Sequence, residues 1–275
     1  MSSLMRGALL TLNSMGFEAL LREVLRRILG KEYCYRGIPV NSSAVFRLIR
    51  GILLKGYDIY RSANEACVRT YFGELCVDVA DVDLLGVLAE PLEDMYGFAD
   101  INDAVVVDIG AFIGETALLF LSMGASRVYA LEPVHKHYQY LLRNIRRNNA
   151  ANRVVALNYG AWFREARLTV NYSGSGTGLQ SFTETPVVIE ARNLDEVLNE
   201  VFGKEGRIDL VKMDCEGCEY SLLSLPAEDL RLANQYVVEI HGSETPIIDK
   251  MSESSFKHKF VRRVANLITV HYFTQ

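Results

Sequence analysis

The chain has 275 residues, 49% of them hydrophobic and 23% charged, the balance of a soluble globular enzyme with enough length to bury a full core. Its formal charge of −5 makes a general polyanion binder a poor first reading. No run of eighteen apolar residues occurs, which excludes a spanning helix.

In chain order, Met5 to Phe17 is mildly apolar but broken by Thr11, Asn13 and Ser14, a poor signal-peptide core, so the chain reads as cytoplasmic. Phe17, Leu20, Leu21, Val24, Leu25 and Ile28 follow helical spacing. They predict an amphipathic helix that stops at Gly30 and packs its stripe on the main domain, with a homodimer contact or membrane docking as the alternatives. Ala44–Leu54 reads as a second helix, and residues 65–71 with 75–79 as a β-hairpin around Phe72-Gly73-Glu74. Residues 84–96 read as a helix or pair of turns. Residues 1–100 are therefore expected to form a cap of helices and a β-hairpin, ahead of a domain over 101–275. Residues 1–79 carry eleven Lys/Arg against seven Asp/Glu, whereas Asp81–Asp103 contains no base. A solvated surface is the simplest account of that asymmetry.

From residue 104 the texture changes. Apolar strands at 104–108, 127–131, 154–157, 208–213 and 236–240 alternate with helices at 114–123, 136–148 and 193–201. This is the pattern of an α/β, doubly wound, Rossmann-like parallel sheet with helices on both faces. Residues 167–171 and 186–190 form an extended excursion around a Ser/Gly-rich loop at 173–178. Ser254–Arg263 reads as a helix and 267–273 as a last strand, so a seventh strand is expected to be missing.

Ligands of such sheets bind beyond the carboxyl ends of the strands. The residues there are Asp108-Ile-Gly110-Ala-Phe-Ile-Gly114, Glu132, Asn158-Tyr-Gly160, Asp214-Cys-Glu216 and Glu239-Ile-His241. Two glycines permit a tight strand-to-helix turn, and an acid 22 residues beyond Gly110 suits ribose hydroxyls. A dinucleotide loop needs glycine where Phe112 stands, which disfavours an NAD(P) oxidoreductase. S-adenosyl-L-methionine has no pyrophosphate to accommodate, and Asp108 suits its amino group.

The segments V-V-V-D-I-G-A-F-I-G-E-T (105–116), Y-A-L-E-P (129–133), N-L-D-E-V-L (193–198), V-K-M-D-C-E-G-C-E-Y (211–220) and V-V-E-I-H-G (237–242) resemble the FkbM-type methyltransferases over roughly residues 96–245. The resemblance implies a methyltransferase using S-adenosyl-L-methionine, typically for O-methylation of a sugar, glycolipid or other small molecule. Phe112 departs from the family's commoner Asn, and Cys215-Glu-Gly-Cys218 from Val-Glu-Gly-Ala, so the two cysteines are expected in small buried slots.

Cofactor contacts are assigned to Asp108, Gly110, Ala111, Phe112, Gly114, Thr116, Glu132, Asn158, Gly160 and Asp214, and catalytic roles to Asp214 and His241. His241 is the candidate base because imidazole titrates near neutrality. Glu216 and Glu239 are expected to fix Lys212 or His241. Asp214, Glu239 and His241 have the chemistry to hold a divalent ion, but nothing in the sequence demands one and no metal is assigned. An RNA methyltransferase using the basic N-terminal region and a noncatalytic binding protein of the same fold are the alternatives. Of the five cysteines, Cys67 and Cys76 flank the predicted hairpin turn and stand where a disulfide can form.

Overall fold

The computed structural model describes residues 3–172 and 185–275; the Ser/Gly-rich loop read at 173–178 lies outside them. The described chain divides into two units, one running to Glu90 and one comprising Pro91–Tyr172 with Thr185–Gln275.

The first unit contains helices Ser3–Met15, Phe17–Leu29 and Ser43–Leu54, a strand pair Tyr33–Tyr35/Ile38–Val40, and the 3-10 segment Val79–Ala89. The predicted hairpin is present as Glu65–Arg69 paired with Glu74–Asp78, and Asp58–Ser62 adds a third antiparallel strand. Thr70 Oγ1 accepts from the amides of Phe72 and Gly73 and so closes the turn. Cys67 and Cys76 stand directly opposite in this ladder and form a disulfide. Helix Phe17–Leu29 ends as predicted at Gly30, whose φ of +67° lets its amide reach the Arg26 carbonyl at 2.8 Å.

The expected burial of that helix's apolar stripe is not what the structure shows. Phe17 is 70% and Ile28 72% exposed, whereas Glu23 is 2% exposed. Glu23 is clasped by Arg26 and Arg27, and Arg26 continues to Ser43 Oγ at 2.7 Å, so the helix docks through its polar side.

The second unit is built on a seven-stranded sheet. Its strands are β1 (Val105–Ile109), β2 (Arg127–Leu131), β3 (Val154–Leu157), β4 (Ile208–Met213), β5 (Ala233–His241), β6 (Lys257–Ala265) and β7 (Ile268–Thr274), in the order β6-β7-β5-β4-β1-β2-β3. β3, β2, β1, β4 and β5 run parallel, and β7 lies antiparallel between β5 and β6. The longer helices are α1 (Glu115–Ser122), α2 (His135–Arg147), α3 (Leu194–Glu205) and α4 (Thr245–Glu253). All five residues of β1 are buried, as a strand covered on both faces requires. Val107, Ile109, Leu131, Leu198, Met213 and Ile240 belong to one apolar cluster.

The C-terminal end corrects the sequence reading: 257–265 is strand rather than helix, and the seventh strand is present. Phe256, Phe260 and Val264 recur every four residues and imitate a helix. The segment is nevertheless an edge strand, largely exposed, and its basic residues suit an edge that must not pair with another chain. The excursion after β3 forms a separate three-stranded sheet, with Thr185–Asn193 between Ala166–Tyr172 and Gly160–Trp162.

Candidate cofactor and acceptor site

The five parallel strands deliver their carboxyl ends to one edge, and backbone bonds lace that edge together. The amides of Gly110 and Ala111 donate to Leu131 O, Glu132 N to Leu157 O, and Asp214 N to Ile109 O, all at 2.9–3.1 Å. Gly110 has φ of +82°, and a Cβ there would sit 1.8 Å from the Asp214 carbonyl oxygen. Only glycine permits the β1 turn to press against the end of β4.

Beneath this turn lies a buried charge cluster. Asp108 is completely enclosed, with Thr116 Oγ1 donating to Oδ2 at 2.6 Å and Lys212 Nζ forming an ion pair with Oδ1 at 3.1 Å. Lys212 Nζ also donates to the Gly110 carbonyl at 2.7 Å. Burial would push the Lys212 ammonium down, but Asp108, Asp214 and Glu115 outweigh it and raise it above its ordinary value. Glu115 is 3% exposed, and burial drives its carboxyl well above the usual range.

Asp108 has no exposed surface, and its carboxylate faces Lys212 and Thr116. Thr116 and Ala111 are likewise buried, and shape the turn from within. Lys212 is one of two charges in its strand, with Asp209, and Glu115 had no signal beyond its place at the helix start.

Glu132 is 4% exposed and accepts from Phe112 N at 3.0 Å and Val134 N at 2.8 Å. Phe112, at φ of +47°, lays its ring edge-on to His137. Gly114 stands against Leu141, and Gly160 against Pro133. Asn158 clamps β3 to β2, donating to the Glu132 carbonyl at 2.9 Å and meeting His135 through Oδ1. Tyr159 packs beneath the Arg192 guanidinium, which also donates to its hydroxyl.

At the ends of β4 and β5, three carboxylates converge on His241: Glu219 Oε1 at 3.4 Å from Nδ1, and Glu216 Oε2 and Glu239 Oε1 at 3.5 and 3.6 Å from Nε2. Burial favours the neutral ring, but Glu219, Glu216 and Asp214 outweigh it and push the imidazole up to about 9. At neutral pH the ring is cationic in this arrangement, which confines the expected role as base to alkaline solution.

Glu219, to which the sequence reading gave no role, is fully buried and accepts from both the His241 and Gly217 amides at 2.8 Å. It staples the turn after β4 to β5. Cys215 and Cys218 form a disulfide across the same turn rather than filling separate slots. The 310 Å3 cleft lined by Asp100, Asn102, Asp209 and Gln235 lies at the opposite, amino-terminal edge of the strands.

Residues 108–264 match the methyltransferase FkbM domain. The chain belongs to the FkbM methyltransferase family. The cofactor of this FkbM protein is S-adenosyl-L-methionine. Its residues fit that ligand: each Glu132 oxygen takes one backbone amide and retains a lone pair for a ribose hydroxyl.

The FkbM methyltransferase of Methylobacillus flagellatus KT is 16% identical with a TM-score of 0.48; the match covers 94% of this chain and 60% of that one. M. jannaschii TYW2, solved in complex with AdoMet, is 16% identical with a TM-score of 0.43, over 78% of this chain and 87% of that one. Trm5b from Pyrococcus abyssi is 16% identical with a TM-score of 0.41, over 78% and 56%. No curated protein matches the chain. Among the described residues no helix is long and apolar enough to cross a membrane.

Proposed function

We propose that this chain transfers a methyl group from S-adenosyl-L-methionine to a hydroxyl of a sugar, glycolipid or other small molecule, in the cytoplasm. The observation that carries the proposal is the close packing of the Gly110 turn on Asp214, which sets the cofactor loop beside the carboxylate–histidine cluster. In this reading Gly110, Phe112 and Gly114 form the cradle, Glu132 holds the ribose, Asn158 and Gly160 border the adenine, and Asp108 with Thr116 supports the cradle from below. Asp214 also borders the methionine end.

The cofactor supplies a methyl group already activated on a sulfonium. The protein's task is therefore to hold an acceptor oxygen about 3 Å away and in line. Asp214 and His241 stand where that oxygen arrives. With no ion bound, a His241 protonated below about pH 9 donates to the acceptor and fixes its orientation, and above that pH the neutral ring accepts the hydroxyl proton. Glu219 and Glu239 position the ring.

The basic N-terminal region offers little support for an RNA acceptor. Arg22, Arg26, Arg27, Arg36 and Arg69 are already engaged by carboxylates of the same unit.

Isothermal titration of the full chain with S-adenosyl-L-methionine, its demethylated product and NAD tests the cofactor site. Binding of the first two but not NAD is expected, and binding of NAD alone overturns the reading. A subsequent acceptor screen discriminates hydroxylated sugars and glycolipids from RNA, and turnover on RNA alone overturns the small-molecule assignment.

A further inference from the structure

We infer that Asp214, Glu239 and His241 hold a divalent cation of the magnesium or manganese type at the acceptor end of the rim. The inference rests on the methyltransferase reading for what the ion does there, though not for whether it binds.

The donor set is the first argument. One ligand atom from each residue lies within 4.8 Å of the other two, and His241 Nε2 is 3.6 Å from Glu239 Oε1. A six-coordinate ion with bonds of about 2.1 Å puts neighbouring ligands roughly 3 Å and opposite ligands roughly 4.2 Å apart. The 3.6 Å pair already lies between those two separations. Two carboxylates and one imidazole favour these hard ions over zinc, and Cys215 and Cys218 are joined to each other.

The second argument is the state of the imidazole. His241 Nδ1 is buried without a hydrogen bond. Nε2 faces Glu216 and Glu239 at 3.5 and 3.6 Å, beyond hydrogen-bond contact with either. An ion seated between Nε2 and these carboxylates takes the place of the ring proton on that nitrogen.

Charge is the third. Glu216, Glu219 and Glu239 bring three carboxylates within 3.6 Å of one imidazole. A divalent ion compensates that excess.

Placement is the fourth. Glu239 and His241 are two apart on β5 and share a face, and β7 fixes both through Glu239↔Val270 and His241↔Ile268. Donors on a paired strand are held more rigidly than donors on a loop. An ion there leaves positions for water and for an acceptor oxygen, and its charge makes that oxygen more acidic.

The test is manganese binding to the chelator-stripped full chain, followed by electron paramagnetic resonance of free Mn2+. S-adenosyl-L-methionine affinity is measured in parallel. One Mn2+ site per chain is expected, displaced by Mg2+ and weakened at least about tenfold by Glu239→Gln and by Asp214→Asn. Paramagnetic broadening of the His241 ring protons in the wild type locates the ion without any substitution. S-adenosyl-L-methionine binding without Mn2+ binding, or Mn2+ that leaves the His241 protons sharp, overturns the metal site and spares the methyltransferase reading. Mn2+ binding without cofactor binding does the reverse.

Discussion

Lys212 is the residue on which the buried end of the site depends. Its ammonium lies among Asp108, Asp214 and Glu115, and the Asp108 carboxylate has no access to water. Removing one member of a buried pair strands the other, at about 3–5 kcal/mol. Lys212→Met is expected to destabilise the protein by that amount in urea denaturation and to abolish cofactor binding. Gly110→Ala acts by contact: its methyl would meet the Asp214 carbonyl at 1.8 Å from a left-handed backbone. A loss of about 3 kcal/mol or more is expected, read as a lower melting temperature together with lost S-adenosyl-L-methionine binding.

His241 makes stability depend on pH. Its folded value, about 9, lies above the ordinary 6.5, so the folded state binds the proton more tightly. That contribution is complete below about 6.5 and is lost as pH rises through about 9. With chelator present, wild type is expected to lose more stability than His241→Gln between pH 7 and 10. Equal losses would show that the carboxylates do not act on the ring.

At the scale of elements, legibility followed how completely burial dictated the pattern. β2, β3 and β4 were read with the bounds they have, because strands buried on both faces are short apolar runs between helices. The rim was legible for the same reason, since its residues are whatever follows those strands. β6 was misread because an exposed edge strand has no inward face to impose a period of two, and three hydrophobic residues at helical spacing took its place. Glu219 was passed over, and Lys212 was given Glu216 or Glu239 as its partner where the structure has Asp108, because what each contacts comes from a strand distant in sequence and spacing carries no record of such contacts.

Helix Phe17–Leu29 was placed correctly but turned the wrong way, since the Glu23–Arg26–Ser43 chain decides its orientation and periodicity does not register ion pairs. Phe17→Ser and Ile28→Ser are accordingly expected to change unfolding stability by no more than about 0.5 kcal/mol. Loss of several kcal/mol in denaturant titration would show that the stripe is covered in solution. Ser42, whose hydroxyl accepts from the Val45 amide at 3.1 Å, caps helix Ser43–Leu54, and Ser42→Ala is expected to cost about 1 kcal/mol in the same titration.

For the molecule as a whole, the sheet order has a consequence for synthesis. β1, β2 and β3 follow one another along the chain, but the strand that closes the other side of β1 arrives late: Val105 N donates to an Asp209 carboxylate 104 residues away. At roughly 5–20 residues per second, a ribosome takes roughly 5–20 s to cover that distance. Throughout that interval β1, apolar on both faces, is an open edge, and Asp108 and Glu115 await the lysine that will sit between them. Nascent chains arrested before β4 should therefore be the species that chaperones hold and that aggregates when they are scarce, whereas chains released after β5 has emerged should not.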